Sequence, residues 1–378
     1  MNILLVGSKC RFLQLLTDKL DKEGHRVFLL TVEDKSVRTS KKIFETYHFA
    51  YDNPCIREVL EGVRPDVTVF MGAYDTGFLW GKGSSTASAY TSGLFQLLMN
   101  ETAGNVGRFL YLSSEEVFGG EYTQDISCEE NCASYTVRAQ AIAAGEELCH
   151  SYFNMGYETI VLRLDHLYGE PLTGAEARDI CARMSVEGLE TGEIRVNPHN
   201  RVALLHYSDA VEFLYAVITA KKMTYGVYQI SSGETISVRS AAEFVAAELE
   251  GVKVVEDTGR ERMDPVLSNQ RFAEEFGIRI VHKPETEIGR EAAYIRQHAS
   301  SFVRTQSRKK GWSRFGERSR EAVRAMIPFA ENLLCFLPFF LLNNWMAGSA
   351  YFQNIDFYLL YVLLFAICLL YTSDAADE

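Results

Sequence analysis

The chain has 378 residues and a formal net charge of −12 at neutral pH, an acidic balance that argues against nucleic acid as a partner, because phosphate binding draws on Lys and Arg displacing counterions. Its eight cysteines are scattered. Cys128 and Cys132 are the closest pair ahead of the C-terminal stretch and lack a second Cys or His pair, so neither a zinc site nor a disulfide framework is expected, and a reducing compartment is.

The first apolar run, from Met1 to Gly7, reads as a buried strand, and 12–20 as a helix after it. Gly24-His25 breaks that helix, and 26–31 is a second apolar run of strand length. Further runs stand at 66–71, 108–113 and 159–164, each separated by enough chain for a crossover helix. This alternation predicts a Rossmann-like, doubly wound parallel sheet over 1–300, with a small subdomain mainly in 172–300.

Five landmarks stand in order along that stretch: Arg64-Pro-Asp66-Val-Thr-Val-Phe-Met-Gly72-Ala73, Leu112-Ser-Ser114-Glu-Glu-Val-Phe-Gly119, Leu162-Arg163-Leu-Asp-His-Leu-Tyr168-Gly169-Glu-Pro171, Leu205-His206-Tyr-Ser-Asp209 and Val227-Tyr-Gln-Ile-Ser-Ser-Gly233. In order and wording they resemble the extended short-chain dehydrogenase/reductase superfamily, the NAD-dependent nucleotide-sugar epimerases and dehydratases. The resemblance implies NAD or NADP as cofactor and a nucleotide-sugar as substrate.

The positions that would carry this chemistry depart from the family's pattern. Close approach of a pyrophosphate needs glycines at the first βα turn. Gly7 is kept, but Cys10 and Leu13 stand at the second and third glycine positions. Thr31 stands where an acid would bind the adenine ribose, with Glu33 and Asp34 just beyond it in what reads as a solvated turn. Lys9 and Arg11 are basic residues able to attract a phosphate, Asp52 matches the adenine-side aspartate or caps the helix toward Leu60, and Ala73, just past the third predicted strand, stands on the cofactor side by the same resemblance.

The family's catalytic trio is Ser/Thr, Tyr and Lys. Ser114 fits the first role. The natural register of the following helix puts Arg138 at the tyrosine and Ile142 at the lysine, and no lysine occurs between Lys82 and Lys221. An arginine stays protonated and cannot accept a proton, and an isoleucine has no charge with which to lower a neighbour's pKa. The alternative register uses Tyr135, with Arg138 supplying the positive charge. Tyr90 stands where the family has an asparagine before a turn at Gly93. Arg201 is the nearest counterpart of the arginine that holds the diphosphate, or else a surface arginine beside a turn. His206 and Asp209 read as orienting a helix start and packing against the sheet, with Asp209 as the N-cap of an apolar helix.

Beyond residue 300 the composition shifts. Arg304, Arg308, Lys309, Lys310, Arg314, Arg318, Arg320 and Arg324 face only Glu317 and Glu321. This basic linker, 301–325, precedes two apolar stretches, 326–345 and 355–371, each near the roughly 20 residues that cross a bilayer. The pattern predicts a transmembrane hairpin in an inner or cytoplasmic membrane with the N-terminal head in the cytoplasm, and 372–378 reads as a truncated or non-native tail. A head of this kind on a multi-span anchor resembles the Pel-type regulators of bacterial exopolysaccharide systems, which implies polysaccharide-synthesis proteins as partners. The small-residue face at 139–144 is compatible with a homodimer. Two functions follow as expectations: a pseudoenzyme that binds a nucleotide, a nucleotide-sugar or a protein partner, and an active NAD(P)-dependent epimerase, dehydratase or reductase using Ser114 and Tyr135.

Overall fold

The computed structural model describes residues 1–303 except 38, 79, 81–83, 104–106, 120–125, 131, 133–135, 173–178, 258–263 and 278. Tyr135, nearly all of the basic linker, both apolar stretches and the tail lie outside the described residues. No helix among the described residues is long and apolar enough to cross a membrane.

The chain opens with β1 (Asn2–Val6), α1 (Arg11–Lys22), β2 (Arg26–Thr31), β3 (Ile43–His48), α2 (Ile56–Val63) and β4 (Val67–Phe70). It continues through α3 (Ser84–Ala103), β5 (Arg108–Ser114), α4 (Val137–Asn154), β6 (Thr159–Leu164) and β7 (His166–Tyr168). Next come α5 (Ile180–Thr191), β8 (Glu193–Val196), β9 (Arg201–His206), α6 (Tyr207–Thr219), β10 (Val227–Ile230), β11 (Thr235–Ser237), α7 (Val238–Glu248) and β12 (Lys253–Glu256). The described part ends with α8 (Gln270–Phe276), α9 (Pro284–Gln297) and α10 (Ala299–Phe302).

Seven strands form one sheet in the order β10-β6-β5-β4-β1-β2-β3, with every pairing parallel. A parallel sheet needs helices on both faces, which is why its central strands are continuous apolar runs rather than alternating ones. The period of two still decides where each side chain goes. Ile3 and Leu5 pack with Leu16 and Leu20 of α1 and Leu214 and Val217 of α6. Leu4 and Val6 pack on the other side with Leu60 of α2, Leu94 and Leu98 of α3 and Ile142 of α4. Each such side chain, taken out of water, contributes about 1.5–3 kcal/mol.

A smaller unit follows the sheet. There α5, α7 and α9 enclose Ile194, Val196, Val245 and Ile288, beside the β12–β8 pair and the three-stranded sheet β11-β9-β7.

Three local expectations are corrected. The apolar pattern shows no strand between 31 and 66, yet β3 lies there. It is an edge strand with Phe44 63 % exposed, its ring under the Arg26 guanidinium at 4.1 Å, so it never needed an apolar run. Gly93 marks no turn: it sits inside α3, where Tyr51 packs so closely that a Cβ would stand 2.7 Å from the tyrosine's Cβ. The N-cap of α6 is His206, whose Nδ1 accepts from the Ser208 amide at 3.2 Å. Asp209 instead accepts from the amides of Val281 and His282 and from the His282 ring, tying the α8–α9 connection to α6.

The chain leaves β1 toward β2 and β3 and returns to β4 on β1's other side. That reversal opens a crevice beyond the carboxyl ends of β1 and β4, the general ligand position of such sheets.

Candidate active site

The first βα turn lies on one side of this crevice. Gly7 is required by packing, since a Cβ there would stand 2.5 Å from Met71 Cγ. Cys10, at the second glycine position, is the N-cap of α1, its sulfur accepting from the Leu13 amide at 3.4 Å. Leu13, at the third, is buried in the core. The Ser8 amide donates to Asp75 Oδ1 at 2.9 Å and the Lys9 amide to Glu33 Oε2 at 2.8 Å. Thr31 is fully buried, and its hydroxyl accepts from the Glu33 amide at 3.2 Å. The Glu33 side chain thus folds back onto the first turn at Lys9, while Asp34, Lys35 and Ser36 of its loop are exposed. Arg11 points elsewhere, donating to the Glu170 carbonyl at 2.7 Å. Asp52 is exposed, and α2 is not capped by it: its N-cap is Cys55, which makes no side-chain cap bond.

Asp75, just past β4, is 4 % exposed. Its Oδ1 accepts from the Ser8 and Gly77 amides, and its Oδ2 from the Tyr51 hydroxyl at 2.7 Å. Burial pushes its pKa up, against these donors, which pull it down. Behind it Tyr51, Phe70, Phe78, Trp80 and Tyr90 form one aromatic cluster, with Phe78 and Tyr90 centroids 4.9 Å apart.

A cleft of about 390 Å³ runs from Cys10, Phe12 and Ala73 past Glu116, Arg138 and His166 to Asp179, Arg183 and Arg201. Arg138 lies in the first turn of α4, after the Thr136 N-cap. It donates to the Ala73 carbonyl at 2.7 Å and pairs with Glu116 at 2.8 Å. Ile142, one turn on, is fully buried, and its carbonyl accepts from Tyr111. Ser114 is 2 % exposed, caps the short turn after β5 through the Glu116 amide, and is absent from the cleft lining. Tyr74 also lines this cleft, and its hydroxyl lies 3.0 Å from the Leu164 and Asp165 carbonyls. Burial holds its proton tightly, with Glu115 adding to the effect.

Further residues line the same floor without having stood out in the residue pattern. His166 Nε2 lies 3.0 Å from both Glu115 Oε1 and Asp264 Oδ2. These carboxylates, Glu115 first, outweigh desolvation and hold the imidazole's pKa well above its ordinary value. Asp165 beside it accepts from Ser231 and Ser232, and burial raises its pKa to about 7. The signal for Glu115 and Glu116 was present: two consecutive acids directly after Ser114. Nothing in the residue pattern marks Asp264 as a partner of His166.

On the opposite wall Arg201 donates to the Thr235 hydroxyl at 2.8 Å and to the Thr235 carbonyl at 2.5 Å, binding β9 to β11. Arg183, on α5, is exposed and has no ion-pair partner among the described residues. Asp179, Cys181 and Glu291 bring one ligand atom each within 4.8 Å of one another. Burial, and after it the neighbouring Asp179, pushes the Glu291 pKa well above its ordinary value.

The parallel seven-stranded sheet, the crevice at its switch point and the smaller unit beyond it define a dinucleotide-binding type of α/β protein. A family model for the NAD dependent epimerase/dehydratase family matches residues 13–231, and the chain belongs to that family. Among solved structures, dTDP-glucose 4,6-dehydratase from Bacillus anthracis in complex with NAD superposes with a TM-score of 0.69 at 15 % identity, over 80 % of this chain and 98 % of the other. UDP-glucose 4-epimerase from Thermotoga maritima with UDP-glucose gives 0.67 at 17 %, over 79 % and 100 %. The NAD-dependent NDP-hexosamine 5,6-dehydratase TunA of tunicamycin biosynthesis gives 0.66 at 15 %, over 79 % and 98 %. None of the curated proteins matches the chain in sequence. At these identities the likeness is one of fold. The family is NAD-dependent, but the turn in this chain fits a dinucleotide poorly: Asp75 and Glu33 hold two of its amides, and side chains stand at two of its glycine positions.

Proposed function

We propose that this chain is a nucleotide-sugar-binding member of the family that has lost NAD-dependent turnover. The observation carrying this reading is the pair Arg138 and Ile142. A guanidinium engaged by Glu116 and the Ala73 carbonyl can neither give nor take a proton near neutral pH, and a core isoleucine supplies no ammonium. Around them His166 sits between two carboxylates and the Tyr74 hydroxyl lies against backbone carbonyls, so these groups are spent on one another rather than on a substrate hydroxyl.

Binding is a different matter. The cleft is of single-ligand size, and the exposed Arg183 on its lining makes no ion pair among the described residues, which leaves its guanidinium for a diphosphate. The basic run at 304–324 and the apolar stretches after it support a membrane tether with this head on the cytoplasmic side, placed to serve polysaccharide synthesis or its regulation.

Calorimetric titration of the full chain with UDP-, dTDP- and GDP-sugars, paired with product analysis after incubation with NAD or NADP, tests the reading. Saturable binding of one sugar nucleotide without conversion is expected. Conversion that disappears in Tyr135→Phe overturns the proposal in favour of an active enzyme.

A further inference from the structure

We infer that Asp75 and Glu33 are specificity-determining residues that close the adenosine side of the crevice, so that the site turns away a dinucleotide and keeps room only for a nucleoside-diphosphate-linked ligand. The inference rests on the proposed nucleotide-sugar site only for what the open half holds.

Three observations meet at one place. First, Asp75 joins the end of β1 to the end of β4 directly, through the Ser8 and Gly77 amides, and to Tyr51 beyond β3. A ligand lying across the switch point must enter between those two strand ends, where the chain has placed a buried carboxylate of its own. Second, the backbone after Asp75 leaves no gap. A Cβ at Gly77 would stand 2.2 Å from Ser8 Oγ and 2.7 Å from Val32 Cγ2, so this segment already touches both the first turn and the end of β2. Phe78 and Tyr51 fill the space beneath. Third, Glu33 bonds the Lys9 amide, so its carboxylate lies on the turn itself instead of reaching outward for a ribose. A phosphate brought here meets two carboxyl groups that already hold the Ser8 and Lys9 amides, so it would have to displace both to find donors.

The remaining cleft has Cys10, Phe12 and Asp75 in its wall at one end and extends toward Arg183 at the other. Its roughly 390 Å³ suits one drug-sized ligand.

The test is titration of the full chain and of Glu33→Gln, Asp75→Asn and the double variant with NAD, NADP and UDP-glucose, with circular dichroism confirming the fold. Wild type is expected to show no saturable dinucleotide binding below millimolar concentration. The folded double variant is expected to bind NAD at least tenfold more tightly than wild type. Glu33→Gln changes a partly exposed residue and serves as the readout if the Asp75 variants do not fold: a gain in NAD affinity supports the closure. Micromolar NAD binding by wild type overturns the inference, and so does a folded double variant that binds NAD no better than wild type. Absence of UDP-glucose binding counts against the nucleotide-sugar reading alone, because the dinucleotide titrations still decide the closure.

Discussion

The two ends of the crevice and cleft handle their polar groups in opposite ways. At the β1–β4 end, Ser8, Lys9, Glu33, Tyr51, Asp75 and Gly77 are bonded to one another, leaving little for a ligand to take. At the α5 end Arg183 is exposed and unpaired among the described residues. A fold retained for its architecture keeps both ends well packed, whereas a fold retained for binding keeps one end unsatisfied. On the proposed reading, the contrast puts ligand binding on the subdomain side.

The largest expected effect sharpens the contrast between structural and ligand-facing charge. Arg163 and Glu146 form a buried pair, with Nη2 to Oε2 at 2.6 Å, and Glu146 also accepts from Ser113. Removing one partner by Glu146→Ala leaves a buried guanidinium without its counter-charge and should cost about 3–5 kcal/mol in denaturant unfolding. Arg183→Ala, by contrast, should leave the melting temperature in place and weaken sugar-nucleotide binding tenfold or more, as loss of a charged phosphate contact does. An equal loss of stability in both variants would erase the distinction.

A pH prediction follows from Glu101 on α3, which is 3 % exposed and accepts from Thr68 of β4. Burial raises its pKa to about 7, above the roughly 4.3 of an unfolded glutamate. A raised acid contributes its stability below the unfolded value, and that contribution is lost as pH rises to 7. The ionised form then costs on the order of 3 kcal/mol. Glu101→Gln should therefore be more stable than wild type at pH 8, with the difference shrinking toward pH 5. Urea midpoints at both pH values check this, and a constant difference would count against it.

The smallest effect concerns Arg201. Because its guanidinium is spent on Thr235, Arg201→Lys should lower stability by about 1 kcal/mol and change sugar-nucleotide affinity less than Arg183→Ala does. The reverse ranking in calorimetry would make Arg201 the diphosphate anchor.

Much of the fold was legible because buried parallel strands are written as continuous apolar runs: 26–31, 108–113 and 159–164 reappear as β2, β5 and β6 with little change. β3 was not, because an edge strand with one exposed side carries no such run. In the site, Cys10, Leu13, Arg138 and Ile142 could be read as departures, since each replaces a residue whose chemistry is tied to a fixed place in the turn or helix. Asp75 could not. It is 67 positions from Ser8 in sequence, and a lone acid after a strand signals nothing until the topology brings β4 beside β1. Glu33 was visible, but its turn back onto the Lys9 amide is a matter of side-chain direction that no spacing encodes.

The most direct measurement is the dinucleotide content and affinity of the purified full chain, read by absorbance and chromatography of the denatured protein and by titration with NAD. No carried-over dinucleotide and no saturable binding below millimolar NAD is the predicted result. Stoichiometric NAD released on denaturation would contradict it and return the chain to the working enzymes of its family.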